Sequence, residues 1–201
     1  MIWIDKAPFI RQYPEPKRRI RWLTPDQVHI LLKELPEHLA DLVRFSLATG
    51  LRQANVLGLE WSQIDMLRNV AWIHGEQAKA GRDIHVSLNT TALLVLEKRI
   101  GIHPKFVFTY KDKRIGQVST KAWYNALKRA GIENFRWHDL RHTWASWLAQ
   151  GGVPLNVIQE MGAWQSAEMV RRYAHLAPEK FGVYASVVDT MLYDTNTAQA
   201  C

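Results

Sequence analysis

Cysteine is all but missing: the only one in 201 residues is Cys201, the last. No intramolecular disulfide can form and no thiolate metal cage can be built, which suits a reducing compartment and is read as a cytoplasmic location. Long hydrophobic runs are missing too. No segment approaches the roughly 18 consecutive apolar residues of a membrane-crossing helix. The opening MIWIDKAPFI lacks the apolar stretch behind a basic flank that a secretory signal carries. Internal repeats and low-complexity tracts are also lacking. Acid is scarce relative to base, 19 Asp and Glu against 26 Lys and Arg, for a net charge of +7. What is present is a composition 47% hydrophobic and 10% aromatic, enough for one sizeable core. Such a basic domain favours a polyanionic partner, most often nucleic acid, although many basic proteins have no such partner.

The charge is unevenly placed. PKRRIRW at 16–22 contributes Lys17, Arg18, Arg19 and Arg21 without an acid, and KDKR at 111–114 contributes Lys111, Lys113 and Arg114. Both runs read equally as solvated loops or as phosphate contacts. Residues 1–23, broken by Pro8, Pro14 and Pro16, read as an extended basic lead-in. TPDQVHILLKEL then opens a helix, with Thr24 as N-cap, Pro25 at the first helical position and Gln27 closing a capping box. A second helix, EHLADLVRFSLATG, ends at Gly50, a residue type suited to the C-cap, and a short third follows at 52–58. Around WSQIDM, NVAWIHG and DIHVSL the apolar residues alternate, so the spacing predicts three short antiparallel strands, with Lys79 at or near the second hairpin's turn. Further helices are predicted from Asn89, through VSTKAWYNALKRAG, and at 137–150, 154–160, 166–174 and 178–192, with FVFTY as a short strand among them. The fold class is therefore α+β, mainly α, with a small three-stranded antiparallel sheet. The ordered domain runs over 24–193, and 194–201 reads as a frayed tail.

The stretch WHDLRHTWASWLAQGG puts His138, Arg141 and His142 within about one turn of one helix. Two chemistries compete for that spacing. A zinc site of the HExxH kind would use both histidines, but Asp139 replaces its glutamate, Arg141 sets a fixed cation beside the metal, and no clear third ligand follows. A phosphate site would instead use His138 and Arg141. Upstream, LATGLRQANVLGL places Arg52 after a Gly–Leu turn at a helix start. Downstream, MGAWQSAEMVRRYAHL carries Trp164 and, nine residues later, Tyr173 near the end of a short helix.

The ordered set Arg52, Lys79, His138, Arg141, Trp164 and Tyr173 resembles the tyrosine recombinases, the phage-integrase family, over Thr24 to Pro178. Taken singly, the parts are unremarkable: a turn lysine (with Arg82 an equal candidate), a helix-start arginine, a packed tryptophan. HDLRHTWASW and the spacing from Trp164 to RYAHL carry most of the specificity. The resemblance implies an integrase-like, DNA breaking-and-rejoining fold acting on double-stranded DNA. In it Tyr173 would attack a phosphodiester, giving a 3′-phosphotyrosyl link and a free 5′-hydroxyl. Arg52 and Arg141 would neutralise the transition state in place of a metal, so no metal or cofactor is implied. Lys79 would protonate the leaving oxygen. His138 would bond the phosphate and help manage the tyrosine proton. Trp164, where many family members have His, would hold an oxygen or pack the site. His142 is left to a buried hydrogen bond bracing its helix.

The resemblance further implies integration or excision of a prophage or mobile element, through a tetrameric synapse at the nucleoid. Rival readings are a nicking-closing topoisomerase, a catalytically silent DNA-binding module and, last, a zinc hydrolase. Two departures stand out. The acid that often lies three positions after the first arginine is Asn55, an amide that can still hydrogen-bond. And family members usually carry a core-binding domain before the catalytic one, so the chain is expected to be an excised catalytic piece, with PKRRIRW ending the interdomain linker. On its own it should then bind DNA weakly, because about half the phosphate contacts would be gone; nanomolar, sequence-specific binding in a shift assay would contradict that. The apolar stripe in FGVYASVVDTMLY serves either its own core or a neighbouring protomer.

Overall fold

The computed structural model describes residues 20–77, 81, 83–178 and 181–197. It is mainly helical: α1 (Pro25–Glu34), α2 (Glu37–Thr49) and α3 (Gln53–Leu57) precede a sheet of β1 (Ile64–Asp65), β2 (Val70–Ile73) and β3 (Ile84–Ser87). Then come α4 (Thr90–Glu97), a hairpin of β4 (Thr109–Tyr110) and β5 (Lys113–Arg114), α5 (Lys121–Arg129), α6 (Asp139–Gln150), α7 (Leu155–Met161), α8 (Glu168–Arg171) and α9 (Phe181–Thr197). Among the described residues no helix is long and apolar enough to cross a membrane.

Local chemistry sets the boundaries. Thr24 and Gln27 close the predicted capping box reciprocally, side chain to backbone in both directions. Gly50 ends α2 in the left-handed conformation, φ 64°. The sheet is antiparallel in the order β1-β2-β3, with Ala71 opposite Val86 and Ile73 opposite Ile84. Those four side chains are buried, whereas His85 and Ser87 face out, so alternation puts one face on the core. The β1–β2 turn is tied by the Asp65 carboxylate, which accepts from the backbone N–H groups of Leu67 and Arg68.

FVFTY departs from its predicted strand. Only its last two residues form a strand, paired with Lys113 and Arg114, while Phe106 makes an isolated antiparallel bridge to Glu60. On one edge the buried Arg99 stands in for a partner strand: its Nε donates to Val107 O at 2.9 Å and its Nη2 to Thr109 O at 3.0 Å. The same guanidinium meets Asp41 of α2 at 3.2 Å. A buried charge network thus fastens the hairpin to the helices. Helix ends differ as well. The helix predicted over 166–174 shrinks to Glu168–Arg171, and α9 continues to Thr197, past the predicted frayed boundary at 194, with 198–201 outside the described residues.

The core has two parts. The larger gathers α1 to α5, the sheet and the start of α6 around Phe45, Phe108 and Trp123. The smaller gathers Trp144, Ala145 and Ala149 of α6 with Ile158, Trp164, Val170 and Tyr173. Helix α6 serves both. One side holds Leu23, just before α1, because Thr143 Oγ1 accepts from Leu23 N at 3.2 Å and Trp147 Nε1 donates to Leu23 O at 2.9 Å. Its other side carries the side chains described next.

Candidate active site

Two turns present carbonyl oxygens to two guanidinium groups. The left-handed turn at Gly50 swings the chain so that Arg52 caps α3. A Cβ on Gly50 would fall inside the Trp144 ring, so only glycine fits, and its carbonyl is free to accept from Arg141 Nη1 at 2.6 Å. The second turn closes α7. The Gly162 carbonyl accepts from Arg141 Nη2, and a Cβ there would overlap the Trp164 ring. Ala163 then takes φ 48°, a conformation costing a side-chain-bearing residue about 1 kcal/mol or more. Its carbonyl accepts from Arg52 Nη2 at 3.5 Å. The Arg141 guanidinium also lies 4.1 Å from the centroid of the Trp164 ring, which in turn stacks on Trp144.

The electrostatics are strained in one direction. Arg141 is 4% exposed, and burial, with Arg52 as the next cause, pushes its pKa down to about 9 while Tyr173 opposes the fall. Burial lowers Arg52 as well, and Arg52 Nη1 is buried without a hydrogen-bond partner. Two poorly solvated like charges sharing a site, one with an unused donor, are costly unless an anion completes them.

Tyr173 lies in the turn after α8, its side chain fully buried. Its hydroxyl is 2.6 Å from His142 Nδ1, and its ring centroid is 6.0 Å from that of Trp164. Burial raises the phenol pKa to about 12, against the pull of Arg172 and Arg141. His142 is pushed down to about 4, by burial first and then by His138, with Asp139 opposing. His138 sits just before α6 on the exposed side; its ring meets that of His142 edge-on at 5.2 Å, and burial and Arg141 lower its pKa.

The structure thus brings Arg52, His138, Arg141, Trp164 and Tyr173 together. Lys79, with its neighbour Arg82, belongs to the connection between β2 and β3 and lies outside the described residues. Of the basic lead-in, Lys17, Arg18 and Arg19 lie outside them too, and Arg21 is exposed. Lys111, Lys113 and Arg114 are exposed on the β4–β5 hairpin, where Lys111 and Arg114 rest over the rings of Tyr110 and Phe106 rather than beside the cluster. Asn55 is buried, yet its Nδ2 makes no hydrogen bond. The carboxylate of Asp139, the base of the zinc reading, already accepts from Arg136 N at 2.8 Å and Nη2 at 2.9 Å, and His142 has Nδ1 against the Tyr173 hydroxyl. Among the described residues no three or more His, Cys, Asp or Glu gather as metal ligands.

Sequence reasoning missed the tyrosine's partner. His142 was visible beside Arg141, but its spacing on α6 could not say what stood opposite. The carbonyls of Gly50, Gly162 and Ala163 carried no signal beyond the glycines themselves.

Residues 21–180 match the model of the phage integrase family. The integrase of Salmonella phage P22 is 54% identical over 202 residues, covering 94% of this chain and 52% of that protein. A shufflon-specific DNA recombinase of Escherichia coli is 31% identical over 137 residues, 67% of this chain and 34% of that protein. The chain thus spans at most about half the length of these curated relatives. Among solved structures, the catalytic domain of bacteriophage HP1 integrase superposes with a TM-score of 0.63 at 24% identity, over 84% of this chain and 94% of that one. The Tn1549 transposon integrase in complex with transposon right end DNA gives 0.69 at 16% identity, over 94% and 72%.

Proposed function

Because this chain belongs to the phage integrase family, we propose that it is the catalytic domain of a site-specific DNA recombinase that cuts and rejoins strands through Tyr173. The observation that carries this reading is the pair of desolvated guanidinium groups, Arg52 with a buried donor unused, beside a buried tyrosine hydroxyl. A phosphodiester brought there supplies the missing anion.

Arg141 keeps its two carbonyl bonds and still has N–H donors to turn on the non-bridging oxygens, because a guanidinium has five. Arg52 Nη1 adds a further donor. As Tyr173 Oη attacks phosphorus, the charge developing on those oxygens meets fixed cations in a water-poor site, where electrostatic stabilisation is strongest. His138, exposed at the start of α6, bonds the phosphate; Trp164 holds Arg141 from below. Lys79, on the β2–β3 connection, protonates the leaving 5′-oxygen. The bond energy is kept in a 3′-phosphotyrosyl link, so a new 5′-hydroxyl reverses the step and joins new partners.

The role we assign is integration or excision of a prophage or mobile element, in the cytoplasm at the nucleoid; the integrase names of the phage P22 and Tn1549 proteins support the integration part. Lys17, Arg18, Arg19, Arg21, Lys111, Lys113 and Arg114 serve as sequence-independent phosphate contacts. Val183, Val187 and Val188 on α9 are each more than half exposed, which favours docking on a second protomer in a synapse over packing on their own core.

The test is a nicked duplex drawn from the attachment ends of the encoding element, incubated in EDTA. A covalent protein–DNA band that Tyr173→Phe abolishes is the expected result. No band from either chain, even with an upstream domain supplied, would favour a silent DNA-binding module. Relaxation of supercoils without joining of two duplexes would favour a nicking-closing topoisomerase.

A further inference from the structure

The tyrosine hydroxyl has a basic nitrogen against it, and that nitrogen belongs to His142, not to His138. Resting on the strand-cleaving reading above, we infer that His142 is the proton acceptor for Tyr173, taking the phenolic hydrogen through Nδ1 during attack and returning it during rejoining. The contact is 2.6 Å, short for a hydrogen bond to nitrogen, and both rings are held: His142 by a core helix and Tyr173 by complete burial.

The step balances. The O–H bond of Tyr173 breaks as its oxygen bonds phosphorus, and the proton passes to Nδ1. The bond from phosphorus to the 5′-oxygen breaks, and that oxygen takes a proton from the general acid. The phosphodiester keeps its single negative charge, and the imidazolium formed lies beside it. Rejoining runs the transfers backwards, with His142 protonating the departing phenolate.

His142 faces His138, Asp139 and Arg136 on its own side, and Tyr173 and Arg172 from the α8 end. Burial first, then His138, Arg172 and Arg136, keep the imidazole neutral against the pull of Asp139, as an acceptor must be. They also make it a weak base facing a weak acid, so the proton stays on the resting phenol and moves only as the new bond to phosphorus makes the oxygen acidic. His138 is thereby released from proton handling and serves the phosphate alone.

The first experiment measures the single-turnover rate of covalent complex formation against pH, on the same nicked duplexes, for the parent chain, Tyr173→Phe, His142→Asn and His142→Ala. Asparagine can accept the hydroxyl's hydrogen bond but cannot take its proton. His142→Asn should slow cleavage about 10²–10⁴-fold and turn a neutral plateau into a rate still climbing at alkaline pH. Added imidazole should restore part of the His142→Ala rate, which a purely structural role would not allow. A His142→Asn rate and profile equal to the parent's, or a faster rate, would overturn the assignment while leaving strand cleavage standing. A parent chain that forms no band even with an upstream domain supplied removes strand cleavage and this role together. Nitrogen NMR of the unmutated chain guards against variants that do not fold. Hydrogen on Nε2 with bare Nδ1 is expected, and hydrogen on Nδ1 would make His142 a donor and refute the proposal.

Discussion

At the scale of single residues, the cluster is held by main-chain oxygens. That makes Arg141 intolerant of lysine although the charge is kept. A guanidinium reaches Gly50 O and Gly162 O at once and lies flat on Trp164, whereas an ammonium on a flexible stem cannot do all three. Arg141→Lys should lose about 1–3 kcal/mol of stability for a buried carbonyl left without a donor, by urea denaturation. Covalent complex formation should fall at least about 100-fold. An active, fully stable Arg141→Lys would mean the fork geometry is irrelevant. Gly50→Ala strikes the same cluster through the backbone. It combines a left-handed φ with a methyl inside the Trp144 ring, so about 2 kcal/mol or more should be lost. At roughly 2–4 °C per kcal/mol for a domain of this size, calorimetry would show a melting point several degrees lower.

At the scale of elements, α6 is the part on which the rest is aligned. It faces Leu23 through Thr143 and Trp147 and the candidate site through Arg141 and His142. Trp147→Phe keeps most of the packing but strands the Leu23 carbonyl, and should cost about 1 kcal/mol in urea denaturation. If no loss appears, Leu23 is not fastened to α6 in solution. The short α8 shows where local reading stops. Pattern suggested a helix over 166–174, but the α-helix ends at Arg171 and the chain tightens into a 3-10 turn at Ala174–Leu176, with Tyr173 in the smaller core and its hydroxyl against His142. Likewise FVFTY has the aromatic and β-branched residues of a strand, but the buried Arg99, eight and ten residues away in sequence, takes the carbonyls of Val107 and Thr109.

At the scale of the whole molecule, pH tests the burial of the histidines. His142, His138 and His38 all hold pKa values below the 6.5 of a free imidazole, each chiefly through burial. As pH falls through 6.5 the unfolded chain takes up protons that the folded protein refuses. Stability is therefore complete above 6.5 and declines as pH drops towards about 4, where His142 finally charges. Unfolding free energies measured across that window should fall with acid, and His142→Asn should make the slope shallower. An unchanged slope would remove His142 from the account.

Much was legible in the sequence because its signals are local. Thr24 with Gln27, the alternation in NVAWIHG and DIHVSL, and Gly50 each act within a few residues, so the helices and the three-stranded sheet could be read directly. The candidate residues were legible through their order along the chain and the family it resembles. Contacts across long separations were not. Arg141 reaches Gly50 across 91 positions, and His142 reaches Tyr173 across 31. Spacing determines which side chains share a face of α6. Only the packing of α2, α7 and the turn after α8 against that helix decided that His142, rather than His138, meets the tyrosine, because which groups touch across a core depends on how whole elements fill space together.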